Sequence, residues 1–127
     1  MQVGKGMDGV ILPGILFGDV WVCSGQSNME QKMRNIEEPE REMAKSVADA
    51  GVRFMDLVRR ESEQEVDESE HVPLAVSWSQ PSDQAKLANM SAICFLTGRS
   101  WHRALGIPIG LIATTWGGTE IEAWMNR

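Results

Sequence analysis

The sequence predicts an α/β domain with a mainly parallel sheet flanked by helices. Three observations lead there. Two apolar, β-favouring segments, 19–23 and 109–115, each run straight into a glycine-containing turn, Ser24-Gly25-Gln26-Ser27 and Trp116-Gly117-Gly118. Both turns lead on into helix-start chemistry, Ser27-x-x-Glu30 and Thr119-x-x-Glu122. The order strand, helix, strand, then helix, strand and glycine turn is the one in which crossover connections leave strands parallel.

Residues 1–9 are glycine-rich and polar and read as a frayed lead-in. Residues 10–16, broken by Pro13-Gly14, read as a short edge strand or extended approach, so that 1–14 is a lead-in to a domain over 15–127. Segment 19–23 is a strand whose unbroken apolar run suits cover on both faces. A helical turn should open at Asn28 and loosen by Asn35. Pro39 is placed to start a helix running to about Ala50, with Glu40 and Glu42 at its positive end and Gly51 as its stop.

Residues 52–58 read as a strand, and 59–71 as an exposed, charged loop without internal period. A short edge strand follows at 76–79. Asn89 is placed to cap a helix over 90–105 that Gly106 ends, with Ile93, Cys94, Trp101 and Leu105 as its buried stripe. Pro108 forbids further helix, and 109–115 is the second strand of the argument. The Thr119-x-x-Glu122 box then opens another helix.

In an open parallel sheet, reactive groups gather beyond the carboxyl ends of the strands. Ser27 and Gly117-Gly118 each follow a strand, so the fold rule puts them on one rim. A serine there has two readings. It is a capping-box residue, its hydroxyl bonding a first-turn N–H while Glu30 reaches back, or it is a nucleophile facing N–H donors at a helix start. The Gly25-x-Ser27 spacing matches half of a nucleophile elbow, since Met29 stands where a second glycine would be. Gly117-Gly118 reads either as a plain tight turn, as an anion cradle, or as a bare approach to a backbone N–H.

Residues 18–29, Gly-Asp-Val-Trp-Val-Cys-Ser-Gly-Gln-Ser-Asn-Met, resemble the first signature block of the sialate O-acetylesterases, within the SGNH hydrolase superfamily. Residues 108–112 together with Trp116-Gly117-Gly118-Thr119-Glu120-Ile121-Glu122-Ala123-Trp124-Met125 resemble the block that supplies the oxyanion-hole glycine. The resemblance implies a partial three-layer SGNH or flavodoxin-like fold, with Ser27 as nucleophile. It also implies oxyanion donors from the backbone of Ser27 and Gly118, with Gly117 shaping the turn. The implied substrate is O-acetylated sialic acid or another acetylated carbohydrate, with no metal or organic cofactor.

The same resemblance shows what the sequence lacks. The Tyr-Gln-Gly-Glu block is missing, and the chain has no tyrosine at all. The Asp-x-x-His block that supplies the base is missing too, since Asp67 to His71 is one residue too long. His71 reads as a solvated loop residue beside Glu70, and His102 as a helix-surface residue between Trp101 and Arg103. The expectation is half a catalytic centre, either a fragment of a longer esterase or a truncated relative, feebly active alone. The alternative is a non-catalytic carbohydrate-binding or interaction domain, with Trp21, Trp116 and Trp124 packing a core or facing a sugar.

Composition sets the remaining bounds. The 127 residues carry a net charge of -6, and the pI near 4.9 argues against a phosphate backbone as partner. No segment approaches the length of a membrane span. Cys23 and Cys94 each sit in an apolar segment and read as two buried thiols. Residues 1–14 lack the pattern of a secretory signal. The family's usual lysosomal or secreted location therefore stands against a cytosolic one, and the sequence leaves localisation and oligomeric state open.

Overall fold

The computed structural model describes residues 13–61 and 74–125, together with the backbone of 2–3 and 10–11. The latter form a two-stranded antiparallel ribbon, β1 (Gln2–Val3) with β2 (Val10–Ile11). The lead-in is thus partly paired where the sequence reading had it frayed. The domain proper is a four-stranded sheet of β3 (Asp19–Gly25), β4 (Val52–Leu57), β5 (Leu74–Ser79) and β6 (Ile109–Thr115), in the order β3-β6-β4-β5. The β6 strand pairs in parallel with both β3 and β4, while β5 lies antiparallel on β4. The expected α/β architecture with a mainly parallel sheet is present.

Among the described residues four helices accompany the sheet: α1 (Ser27–Glu30), α2 (Pro39–Ser46), α3 (Gln84–Leu87) and α4 (Ala92–Leu105). A 3-10 turn, Met33–Asn35, follows α1, which is the loosening expected there. The α2 helix stops four residues before Ala50. The α4 helix is capped by Ser91, whose hydroxyl accepts from Cys94 N at 3.3 Å, and not by Asn89. Gly106 ends it in the left-handed region at φ 69°, as a glycine C-cap should. The α3 turn, capped by Asp83, has no counterpart in the sequence reading, because four residues are too few to show a period.

The face of the sheet toward α4 holds the core. Phe54 of β4 and Phe95 of α4 meet edge to face at 5.9 Å, both fully buried, with Met33, Leu87, Met90 and Leu111 around them. Gly98 lets α4 come down onto β6, since a Cβ there would stand 2.6 Å from a Leu111 methyl. The buried stripe of α4 is Ala92, Cys94, Phe95 and Gly98. Ile93 and Leu105, expected inside, are exposed because the helix presents the neighbouring face to the sheet.

Two further expectations are corrected. The β3 strand is not covered on both faces. It is an edge strand with β6 on one side, and Val20 and Val22 are 60% and 64% exposed on the face away from α4. Cys23 and Cys94 are not thiols but a disulfide that ties β3 to α4, with Cα atoms 5.8 Å apart. Antiparallel packing of α4 along β3, with Trp21 against Trp101 and position 23 against position 94, brings the two apolar segments together, and the residues facing each other across that seam are the cysteines.

Ion pairs clamp α2 to α4. Arg99 donates to the Glu42 carboxylate at 2.9 Å and to Ser46 Oγ at 2.8 Å, and Arg103 holds Asp49 with two bonds of 2.8 Å. Hydrogen bonds from Lys45 and then Arg99 lower the Glu42 carboxyl from 4.5 to about 2. Among the described residues no helix is long and apolar enough to cross a membrane.

Candidate active site

The β3 strand ends at Gly25, whose φ of 132° lies where a residue with a Cβ is strained, so the chain can turn sharply at this point. The carbonyl of Gly25 accepts the N–H of Trp116 at 2.9 Å, which fastens the turn after β3 to the turn after β6. Directly behind, Ser27 opens α1 with its side chain exposed. The capping-box reading of Ser27 is not what the fold uses. The N-cap is Gln26, and its side-chain oxygen accepts both the Ser27 N–H at 3.0 Å and the Ser27 hydroxyl at 2.6 Å.

Glu30, the other half of that box, does not reach back to the cap. Its Oε2 accepts the N–H of Gly117 at 2.6 Å, and its Oε1 pairs with the guanidinium of Arg59. Arg59 stands just past the end of β4, donates through Nε to Thr115 O at 3.3 Å, and lies over the Trp116 ring at 5.9 Å. The serine and the double glycine share a rim, as the order of strands and turns predicts. A Cβ built on Gly117 would lie 3.7 Å from Ser27 Cα and 2.4 Å from Glu30 Oε2.

Gly118 follows at φ 82°, exposed, and its N–H makes no hydrogen bond among the described residues. The Gly117 N–H is taken by Glu30 and the Ser27 N–H by Gln26. The second Thr-x-x-Glu box is also not a cap. Thr119 Oγ1 donates to Trp116 O and accepts from Trp124 Nε1, both at 2.8 Å, and residues Ile121–Trp124 form a 3-10 turn instead of an α-helix.

Beside the glycine turn lies an open cleft of about 560 Å³, walled by Arg59, Arg60, Trp116, Thr119 and Trp124. Thr115 also lines it, and its hydroxyl oxygen is buried without a partner among the described residues.

His102 is not brought to this rim. His102 sits near the end of α4, with Nδ1 2.6 Å from Ile107 O and its ring under Gly51, where a Cβ would come within 2.3 Å of it. Gly51 and Ile107 precede β4 and β6, whereas Ser27 follows β3. Those three strands run parallel, so His102 occupies the opposite rim, roughly 20 Å away across a seven-residue strand. His71 lies outside the described residues. Glu30 and Arg59 are the site residues that sequence reasoning missed. Ser-x-x-Glu spacing announces a cap and a cross-rim tie equally well, and Arg59 opens a charged stretch that carries no period.

A parallel sheet that delivers a serine and a double-glycine turn to its carboxyl rim is an SGNH-type α/β arrangement. The chain belongs to the family described as carbohydrate esterase, sialic acid-specific acetylesterase, whose profile matches residues 17–127. It is 43% identical over 116 residues to the sialate O-acetylesterases of Pongo abelii and Homo sapiens, and 41% identical over 117 residues to that of Mus musculus. These alignments cover 88%, 88% and 89% of this chain but 22%, 22% and 21% of those proteins, so the chain spans about a fifth of their length. The crystal structure of a carbohydrate acetylesterase from Xanthomonas citri superposes with a TM-score of 0.74 at 28% identity, over 86% of this chain and 24% of that one.

Proposed function

We infer that this chain is the nucleophile-bearing part of a carbohydrate O-acetylesterase whose substrate is an O-acetylated sialic acid or another acetylated sugar. The observation that carries the reading is the exposed Ser27 set against the Gly117-Gly118 turn on the carboxyl rim of the sheet. Ser27 Oγ attacks the acetyl carbonyl and gives up its proton to a base. The carbonyl π electrons move onto oxygen, and the tetrahedral oxyanion takes hydrogen bonds from backbone N–H groups. Collapse breaks the bond to the sugar oxygen, which leaves protonated, and water then cleaves the acyl-serine to acetate.

In this reading the N–H of the exposed Gly118, without a partner among the described residues, is the first oxyanion donor, and Gly117 shapes the turn that presents it. The Ser27 N–H joins when the Gln26 side chain gives way to substrate. The cleft beside the turn is large enough for a sugar ring. The sequence has no Asp-x-x-His spacing to supply the base, and the described histidine does not reach Ser27, so weak turnover by these residues alone is the expectation. The Cys23–Cys94 bridge favours folding in an oxidising compartment, as on a secretory route to the lysosome or the cell exterior, over the cytosol.

The alternative, a non-catalytic carbohydrate-binding domain, is less well supported. Trp21 packs against Trp101 at 4.5 Å and does not line the cleft, while Trp116 and Trp124 wall the cleft beside the glycine turn, where contact with a sugar serves the esterase equally. A fluorophosphonate probe separates the two. Labelling of the intact protein that carries this chain, lost in Ser27→Ala, supports the esterase. Absence of labelling there, with the protein folded, sinks it.

A further inference from the structure

We propose that Glu30 is a positioning residue that sets the glycine turn against the nucleophile, acting through the Gly117 N–H. The proposal rests on the esterase reading above and adds to it a residue that never touches substrate.

Glu30 stands one helical turn after Ser27, so its carboxylate is carried by the same turn of α1 as the hydroxyl. Three segments of distant sequence meet on it. Oε2 holds the Gly117 N–H at 2.6 Å, Oε1 holds the Arg59 guanidinium, and Arg59 in turn holds Thr115 O and covers Trp116. The end of β4 and the entry to the turn after β6, Thr115 to Gly117, are therefore referenced to α1 through one side chain.

Two consequences follow for an oxyanion formed at Ser27. With the Gly117 N–H engaged, the N–H that the turn leaves open among the described residues is that of Gly118, and the Trp116–Gly117 peptide directly before it is held by an ionic hydrogen bond. An unpaired carboxylate this close to Ser27 would oppose negative charge on the attacked oxygen, and Arg59 cancels that charge. A Cβ on Gly117 would stand 2.4 Å from Oε2, so the glycine is what lets the carboxylate reach the amide. A plain surface ion pair requires none of these features.

Position and charge are separated by two conservative variants of the intact protein. Glu30→Gln keeps an acceptor at the same reach and loses the charge, whereas Glu30→Asp keeps the charge and withdraws the acceptor by one methylene. With an acetyl ester as probe, Glu30→Ala and Glu30→Asp should lower kcat about 10²-fold, the scale of losing one oxyanion donor, with KM within about threefold. Glu30→Gln should retain kcat to within about tenfold. In ¹⁵N-labelled protein the Gly117 amide proton should stay at low field in Glu30→Gln and move upfield in Glu30→Asp.

Unchanged kcat in Glu30→Asp, or a greater loss in Glu30→Gln than in Glu30→Asp, overturns the proposal. The two conservative variants decide the matter even where Glu30→Ala does not fold. Ser27→Ala is measured in parallel. If it keeps activity, the esterase reading itself has failed; if it is dead while all Glu30 variants are fully active, only the positioning role has.

Discussion

Ser27 Cα lies 3.7 Å from the point that a Cβ on Gly117 would occupy, although 90 positions separate the two residues in sequence. The same Cβ would stand 2.4 Å from Glu30 Oε2. Glu30 is a flexible side chain and can swing aside, and the φ of Gly117 is not in the left-handed region, so Gly117→Ala should fold with a stability change under about 1 kcal/mol. Its cost should fall on function, because the swing removes the acceptor from the Gly117 N–H. In the intact protein, kcat for an acetyl ester is expected to fall about 10²-fold with the thermal midpoint nearly unchanged. A large drop in midpoint with unaltered kcat would mean that the contact serves the fold alone.

The parts of the fold that were legible in the sequence are those with a local cause. An apolar run ending in Gly25 or Gly117 fixes a strand and a turn by itself, and parallel order then puts Ser27 and the double glycine on one rim. The parts that were not legible depend on neighbours. An apolar segment looks alike in a central strand and in an edge strand, so the exposure of Val20 and Val22 was invisible until β3 had a place in the sheet. Cys94 in an apolar helix reads equally as thiol or bridge until Cys23 lies opposite. Glu30 answered to a capping rule because Ser-x-x-Glu says nothing of Gly117, 87 residues further on.

Reduction of the Cys23–Cys94 bridge is expected to weaken the fold strongly. The bridged residues are 71 apart, and closing such a loop in the unfolded chain is worth about 4 kcal/mol in the chain-entropy account. That is a large share of the roughly 5–15 kcal/mol that stabilises a domain. Urea unfolding with and without reductant should show the midpoint fall, and Cys23→Ser should behave like the reduced parent. Identical midpoints would remove the bridge from the account of stability, and an intact mass two hydrogens heavier would remove it from the folded protein.

At Gly98 two effects oppose each other. Alanine in the middle of α4 gains about 1 kcal/mol of helix propensity. Its Cβ would meet both Leu111 methyls at 2.6 and 2.7 Å, and Leu111 is fully buried. Overpacking of that kind costs about 1–3 kcal/mol, so the packing term should win. Gly98→Ala is expected to be less stable than the parent by chemical denaturation, and a gain in stability would show that α4 can lift off β6 without loss.

His102 is the described histidine nearest in sequence to the second glycine block, yet its place on the opposite rim excludes it as the base. His102→Gln should leave the pH dependence of ester hydrolysis in the intact protein unchanged. Loss of the contact with Ile107 O and of the packing under Gly51 should cost about 1 kcal/mol of stability. A collapse of kcat with unaltered stability would contradict the placement.

The clamp between α2 and α4 makes the fold sensitive to acid through Glu42. Hydrogen bonds from Lys45 and Arg99 hold its folded-state carboxyl at about 2, against 4.5 in the unfolded chain. Between those values the unfolded chain binds a proton that the folded chain does not, so unfolding takes up protons and falling pH favours it. The contribution of Glu42 is complete above pH 4.5 and is lost progressively as the pH falls toward 2. Asp83, lowered by the Lys86 backbone N–H and then its side chain, acts in the same direction. Denaturation midpoints should therefore drop between pH 5 and pH 3 in the parent and drop less in Glu42→Gln, which has no proton to gain. Equal slopes in the two proteins would show that the carboxyl titrates alike folded and unfolded, and that Arg99 holds α2 through Ser46 and the Glu42 carbonyl alone.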